Sequence, residues 1–388
     1  MPCSDFLNSL EEKITAHYGS IYLISFTNQI LDENFACMIK IITTTRSIHL
    51  RFATLCLVLL VFIVACKSDT KSLTADPAFS GETMGTRYNV KYFDEHKRYY
   101  QKAIDSLLVA VNQDLSTYIS DSHISIFNQE KTTTYEGSPH FDKVFIKAKE
   151  IYQKTEGVFD PTVMPLVNYW GFGYTPKKAV TRVDSTQINE LMMGVGFDKI
   201  IATKQSFYSK QNPRTQLDFS AIAKGYGVDV IAEFLEQKGI ENYLVEIGGE
   251  LRTKGKNPRG DWWLTGINTP TEDASLRDFQ AKVMLQNKAL ATSGNYRNYH
   301  EVDGKKYAHT INPKTGYPEA NTLLSASIFS DNCMTADAYA TACMVMGIDR
   351  AFELIDRYAE LEGYFIYSDE NGDMQVKYTK GIEQYLKK

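Results

Sequence analysis

Asp337 and Thr341 stand four residues apart in the run Thr335-Ala336-Asp337-Ala338-Tyr339-Ala340-Thr341. On a helix that spacing stacks a carboxylate and a hydroxyl on one face. Only small residues and one Tyr lie between them, so a ligand or another backbone can come close. An oxygen-only pair of this kind suits a hard cation such as magnesium, completed by carbonyls, waters and substrate phosphates. The same residues also fit a helix start, with Thr335 as N-cap and Asp337 in the first turn. His309 lies in the turn-rich segment Tyr307 to Pro318. An imidazole pKa near ~6.5 suits proton abstraction at neutral pH, although a histidine satisfied within a turn fits the position too. Gly248-Gly249 follows an apolar strand pattern and permits a tight turn with close approach of a ligand. Ser220-Ala221 precedes an apparent helix start, where backbone N–H groups can meet phosphate. Lys224, just beyond, is either a solvated helix charge or a cation beside a pyrophosphate.

The elements that must carry these residues follow from periodicity. Tyr88 to Tyr92 alternates as a strand. Apolar residues at helical spacing mark helices over Tyr99 to Leu115, Pro139 to Thr155 and Lys224 to Lys238, the last closed by Gly239. Ala338 to Met346 and Arg350 to Tyr358 complete the helices, while Tyr243 to Ile247, Asp261 to Ile267 and Lys282 to Ala291 read as strands. Val302-Asp303-Gly304-Lys305 signals a hairpin, and Tyr364 to Tyr367 pairs naturally with Met374 to Tyr378 across Asn371-Gly372. Helices and strands mix without a βαβ rhythm, so the fold class is α+β with mixed or antiparallel sheets and flanking helices.

The N-terminus reads as a leader. Lys40, Arg46 and Arg51 precede an apolar run from Phe52 to Ala65, with no acid between Met38 and Cys66. That run is short for a membrane span of ~20 residues. Its end, Ile63-Val64-Ala65-Cys66, resembles the lipobox of bacterial lipoproteins, in which the Cys becomes the lipidated first residue, carrying palmitate-class chains. The expected organisation is an upstream extension over 1–37 that lies outside the true start, a signal peptide over 38–65, a lipidated tether over 66–78 and a catalytic domain over 79–388. Of the six cysteines, Cys333 and Cys343 belong to the body. On one helix they are roughly 15 Å apart at ~1.5 Å per residue, beyond the ~7 Å a disulfide allows, so both read as buried thiols. Hydrophobic content of 43%, charged content of 23% and a net charge of −5 are ordinary for a soluble globule and give no nucleic-acid stripe.

Ten segments in order give the chain a family resemblance. They are Glu82 to Thr86, Leu115 to Tyr118 with Ser125 to Asn128, Gly157 to Thr162, Pro165 to Asn168, Trp170 to Gly173, Asp218 to Gly225, Glu246 to Glu250, Ala291 to Gly294, His309 to Pro313 with Thr315-Gly316, and Thr335 to Thr341. Over roughly Gly81 to Gly347 this resembles the FAD:protein FMN transferases, the ApbE family of periplasmic flavin transferases.

The resemblance implies an ApbE-like (T-fold-like) architecture and a magnesium site made by the Ala221 carbonyl with the side chains of Asp337 and Thr341. It places Met84, Tyr118, Val158, Phe159, Asp160, Asp218, Lys224 and Ile311 at FAD, and it makes His309 the catalytic base. The family commonly has Asp where this chain has Asn312, and some relatives carry a carboxylate where Ala340 stands. The implied reaction moves FMN from FAD to a Thr or Ser hydroxyl of an acceptor and releases AMP. The implied acceptor is a periplasm-facing, flavin-carrying subunit of an ion-pumping redox complex. A lipid anchor at Cys66 would hold the enzyme on the periplasmic side of the inner membrane. A magnesium-dependent FAD pyrophosphatase and a non-catalytic flavin-binding lipoprotein are the alternatives.

Overall fold

A computed structural model describes residues 78–387 apart from 176–182, 204–205, 272–277, 296–298, 303–304 and 320. The leader and Cys66 therefore lie outside the described residues.

The strands, numbered in chain order, are β1 (Ala78–Thr83), β2 (Thr86–Phe93), β3 (Thr134–Glu136), β4 (Ile200–Ala202), β5 (Phe207–Lys210), β6 (Asn242–Ile247), β7 (Glu250–Lys254), β8 (Trp263–Asn268), β9 (Phe279–Leu285), β10 (Ala289–Gly294), β11 (Tyr299–Val302), β12 (Lys305–Ala308), β13 (Leu323–Ser330), β14 (Glu362–Ser368) and β15 (Met374–Tyr378). The helices are α1 (Gln101–Leu115), α2 (His123–Phe127), α3 (Pro139–Lys154), α4 (Met164–Tyr169), α5 (Ser185–Met192), α6 (Ala223–Gln237), α7 (Cys333–Met346) and α8 (Ile348–Arg357). Eight strands form one sheet in the order β1-β2-β6-β7-β10-β13-β14-β15, with antiparallel neighbours throughout. The α+β expectation holds.

Alternation along the strands gives the sheet two apolar faces. On β14, Phe365 joins the core that holds α3 and α7, while Tyr364 and Ile366 point to the opposite side. That opposite side is covered by β8, β9 and the C-terminal turn, through Ile267, Val283, Leu285 and Ile382. Helix α7 is buried at every position except Thr341 and Met346. A helix apolar almost all round has no broad solvent face to offer, so it lies in the core, packed on β10 and β13 with α6 beside it.

Several expectations need correction. The stretch Lys282 to Ala291 is two strands, because Asn287 adopts φ 55° and turns the chain out of β9 into β10, which sits in another sheet. Helix α7 starts before Thr335, since the Asn332 side chain accepts the Thr335 N–H at 3.0 Å and is the N-cap. Thr335 thus lies inside the helix with its hydroxyl buried and, among the described residues, without a hydrogen-bond partner, and Asp337 is past the first turn. The β11–β12 hairpin forms with Val302 opposite Lys305; its turn, Asp303-Gly304, lies outside the described residues. Cys333 and Cys343 are buried free thiols, as expected.

Candidate active site

The local chain explains why α6 and α7 meet so closely. Gly225 in α6 has no side chain, and a Cβ there would come within 2.4 Å of the Cys333 carbonyl oxygen and 2.8 Å of Asp337 Cβ. Only glycine permits this approach. It lets the Gly225 N–H donate to Asp337 Oδ2 at 2.9 Å, which fixes one oxygen of a carboxylate otherwise buried in an apolar helix. One turn further on, Asp229 accepts the N–H groups of Cys333 at 2.9 Å and Met334 at 2.8 Å and pairs with Arg252 at 3.0 Å. The start of α7 is thereby pinned to α6 and β7.

These contacts set one wall of a cavity of about 470 Å³, a size suited to a sizeable organic ligand. Its lining includes Ala221, Lys224, Asp337 and Thr341 from the α6–α7 wall, and Tyr118, Val158, Phe159, Asp160, Asp218, His309 and Ile311 from the loops around it. Every residue expected at the site is therefore in this lining except Met84 and Cys66. Met84 sits at the β1–β2 turn with φ 51°, and its side chain packs against Gly227 between two core clusters. It is packed against α6 and is not among the residues that line the cavity.

Each wall is held separately. Asp160 accepts from the Thr162 N–H at 2.8 Å and hydroxyl at 2.6 Å; burial raises its pKa and these bonds oppose the rise. Asp218 accepts from the Ser220 N–H at 2.8 Å, and its carboxyl too is raised by burial against that bond. The Ile222 and Ala223 N–H groups both bond to the Phe219 carbonyl. The Gly225 N–H is taken by Asp337, so these three donors at the start of α6 are engaged within the protein. Thr341 Oγ1 lies 3.3 Å from Ser293 Oγ.

His309 follows β12, with its ring 6.2 Å from that of Phe172. The Phe172 segment is tied to the next turn by Trp170 Nε1, which donates to the Gly316 carbonyl at 2.9 Å. Asn312 does not line the cavity. Its amide donates to Glu319 at 2.8 Å and its oxygen accepts the Lys314 N–H at 2.8 Å, so it builds the turn. Ala340 is fully buried in the core, where a carboxylate would lose its water. At the mouth, Tyr118 is 72% exposed and meets Tyr174 edge-on at 6.4 Å between centroids.

Glu250 is the residue that the sequence patterns did not single out as a site group. The Gly248-Gly249 turn, with φ 59° and 107°, folds β7 back on β6 and delivers Glu250 into the cavity wall. Its Oε1 lies 3.2 Å from Lys224 Nζ. Burial pushes the Glu250 carboxyl up to about 8, with Lys224 opposing and Asp337 adding to the rise. For Lys224 burial works downward, but the Asp337 and Glu250 carboxylates outweigh it and hold the ammonium above the usual lysine range.

With this geometry in view, the comparisons are decisive. The ApbE family model matches residues 84–365. The chain belongs to the ApbE family. It is 41% identical over 320 residues to the FAD:protein FMN transferase of Haemophilus influenzae, covering 80% of this chain and 90% of that protein. It is 42% identical over 282 residues to the Vibrio cholerae protein of the same name, covering 71% and 83%. The solved flavin transferase ApbE from Vibrio cholerae superposes with a TM-score of 0.72 at 37% identity, covering 80% of this chain and 98% of that one.

Proposed function

We propose that this ApbE-family enzyme transfers FMN from FAD to a Thr or Ser hydroxyl of an acceptor protein, releases AMP and depends on magnesium. The observation that carries the reading is the single cavity that gathers an oxygen-donor pair, a lysine, a histidine and exposed aromatics. The relatives' shared name, FAD:protein FMN transferase, points to the same substrate.

The lining fits a divalent cation. It carries four carboxylates, Asp160, Asp218, Glu250 and Asp337, against one lysine. Such a lining is rich in oxygen donors for a hard cation and poor in cationic groups for a pyrophosphate. Among the described residues no three His, Cys, Asp or Glu side chains cluster as a metal site. Asp337, Thr341 and the Ala221 carbonyl are a mixed oxygen set, which suits magnesium sharing its shell with substrate phosphates. When bound, the cation supplies charge neutralisation at the phosphoryl oxygens.

The chain's own residues do the rest. Lys224 meets the pyrophosphate as a point charge. Val158, Phe159 and Ile311 offer apolar surface, and Tyr118 at the mouth offers a face for a flat ring. His309 takes the proton from the acceptor hydroxyl as its oxygen attacks the phosphorus nearest riboflavin, and AMP departs with the bonding pair. Asp337 is held by Gly225 before substrate arrives, so the donor set needs little rearrangement.

The acceptor we propose is a periplasm-facing, flavin-carrying subunit of an ion-pumping redox complex. Lipidation at Cys66 would tether the enzyme to the periplasmic side of the inner membrane and raise its effective concentration there. Intact mass of membrane-extracted protein tests the anchor; a retained leader or an unmodified Cys66 would refute it. Product analysis after incubation with FAD, magnesium and acceptor tests the reaction. FMN on the protein plus AMP supports it, whereas free FMN plus AMP, or unchanged FAD, moves the assignment to a pyrophosphatase or a flavin carrier.

A further inference from the structure

Thr341 is one of two positions at which α7 is not buried, and it opens on the cavity. A helical Ser or Thr hydroxyl commonly donates to the carbonyl one turn back. Ser106 in α1 does so to the Lys102 carbonyl at 2.9 Å, and Thr155, at the end of α3, to the Ile151 carbonyl at 2.7 Å. Thr341 does not follow them. Among the described residues its hydroxyl has one hydrogen-bond partner, Ser293 Oγ on β10 at 3.3 Å. The strand places Ser293 for this contact. Helix α7 packs on β10, Ala291 belongs to the core cluster that holds α7, and Ser293, two residues on, shares that face. Opposite Ser293 on β13 stands the small Ala326, and the neighbouring Thr292 hydroxyl is paired with Ser327 Oγ at 2.8 Å.

Resting on the magnesium-dependent reading above, we propose that Ser293 is a positioning residue: it accepts the Thr341 hydroxyl proton and so leaves the Thr341 oxygen lone pairs for the cation. A hydroxyl carries one hydrogen and two lone pairs, and one that ligates through its oxygen has to send its hydrogen elsewhere. Bonding back to the Asp337 carbonyl would tie the group to its own helix. Ser293 instead holds it from a separate element that also lines the cavity. At 3.3 Å the contact is longer than the usual O–H···O distance of about 2.8 Å, so it sets direction at modest strength. If Ser293 only filled space on the strand, its oxygen would be replaceable without consequence for metal binding.

The test is calorimetric titration of magnesium into nucleotide-free protein and into FAD-bound protein without acceptor, with thermal unfolding recorded for each variant. Ser293→Ala should weaken magnesium binding roughly fivefold, the scale of one neutral hydrogen bond. Its melting temperature, and its FAD affinity measured without magnesium, should stay close to native. In a Thr341→Ala background the same change should have no further effect, because the oxygen it positions is gone. Unchanged magnesium affinity in Ser293→Ala overturns the proposal and leaves the transferase reading intact. An equal loss in both backgrounds also overturns it, since Ser293 would then act independently of Thr341. Ser293→Cys, similar in size but with a weakly accepting sulfur, carries the test if Ser293→Ala does not fold, and native magnesium affinity there overturns the proposal too. A native protein that binds no magnesium with or without FAD refutes both this inference and the magnesium-dependent reading.

Discussion

At the inner end of the cavity Asp337 is 2% exposed and Glu250 4%, whereas Tyr118 at the mouth is 72% exposed. The inner end is built from α6, α7 and the β6–β7 turn, elements locked by the Gly225 contact and the Asp229 anchor. The mouth is built from loops and an edge-on aromatic pair. Rigid, partly unsatisfied polar groups suit the making and breaking of phosphate bonds, which needs preorganised charge. Exposed aromatics suit capture of a flat ring, which tolerates small displacement. The two ends should therefore fail differently when altered.

The largest effect belongs to the inner end. Asp337→Ala removes the one carboxylate of the cation donor set, so transfer should fall on the order of a thousandfold or more. FAD binding should fall far less. Steady-state transfer beside flavin-fluorescence titration separates the two, and near-normal turnover in magnesium would break the comparison. His309→Ala should cost roughly 100- to 10,000-fold in rate with FAD affinity almost unchanged. In the native enzyme the rate should drop as pH falls from 8 to 5, because a protonated ring cannot accept a proton. A flat profile across that range would move the base elsewhere.

Tyr118→Ala sharpens the contrast from the other side. It should weaken FAD binding by about tenfold, the scale of one aromatic stacking contact, while the rate at saturating FAD stays close to native. A selective loss of rate would mean that the mouth also takes part in the chemistry.

The smallest effect is on stability. Glu250 has an ordinary pKa of 4.5, raised to about 8 by burial in the folded protein. The folded state therefore holds a proton that the unfolded chain releases between these values. The associated stability is fully present below about pH 4.5 and is lost as pH rises towards 8. Thermal unfolding of metal-free protein should show this decline, and Glu250→Gln should flatten it. An identical slope in the variant would place the proton elsewhere, for example on Asp160, Asp218 or Asp229, which burial also raises.

The sequence made the inner wall largely legible because its signals are local. Asp337 and Thr341 share a helix, and the i, i+4 rule needs no tertiary knowledge. Gly248-Gly249 announced a turn, but what the turn delivers depends on β7 folding back, so Glu250 escaped notice as a site group. Met84 shows the reverse: it lies in a motif near the site, yet its partly buried side chain packs against α6 at Gly227, a contact that only the tertiary fold makes. Asn332 outcompeted Thr335 as the cap because either residue type can cap and only tertiary packing sets where the helix begins. The break at Asn287 was hidden for a similar reason. Its flanks, Lys282 to Leu285 and Ala289 to Ala291, alternate like one strand, and a single left-handed residue leaves little trace in periodicity.

The most direct test of the central claim is mass spectrometry of a flavin-carrying subunit after incubation with the native enzyme, FAD and magnesium. The account predicts a mass gain equal to one FMN joined by a phosphoester, mapped to a Thr or Ser, with AMP released in equal amount. The gain should disappear with Asp337→Ala enzyme or when the acceptor hydroxyl is removed. An unmodified acceptor beside free FMN and AMP would contradict it.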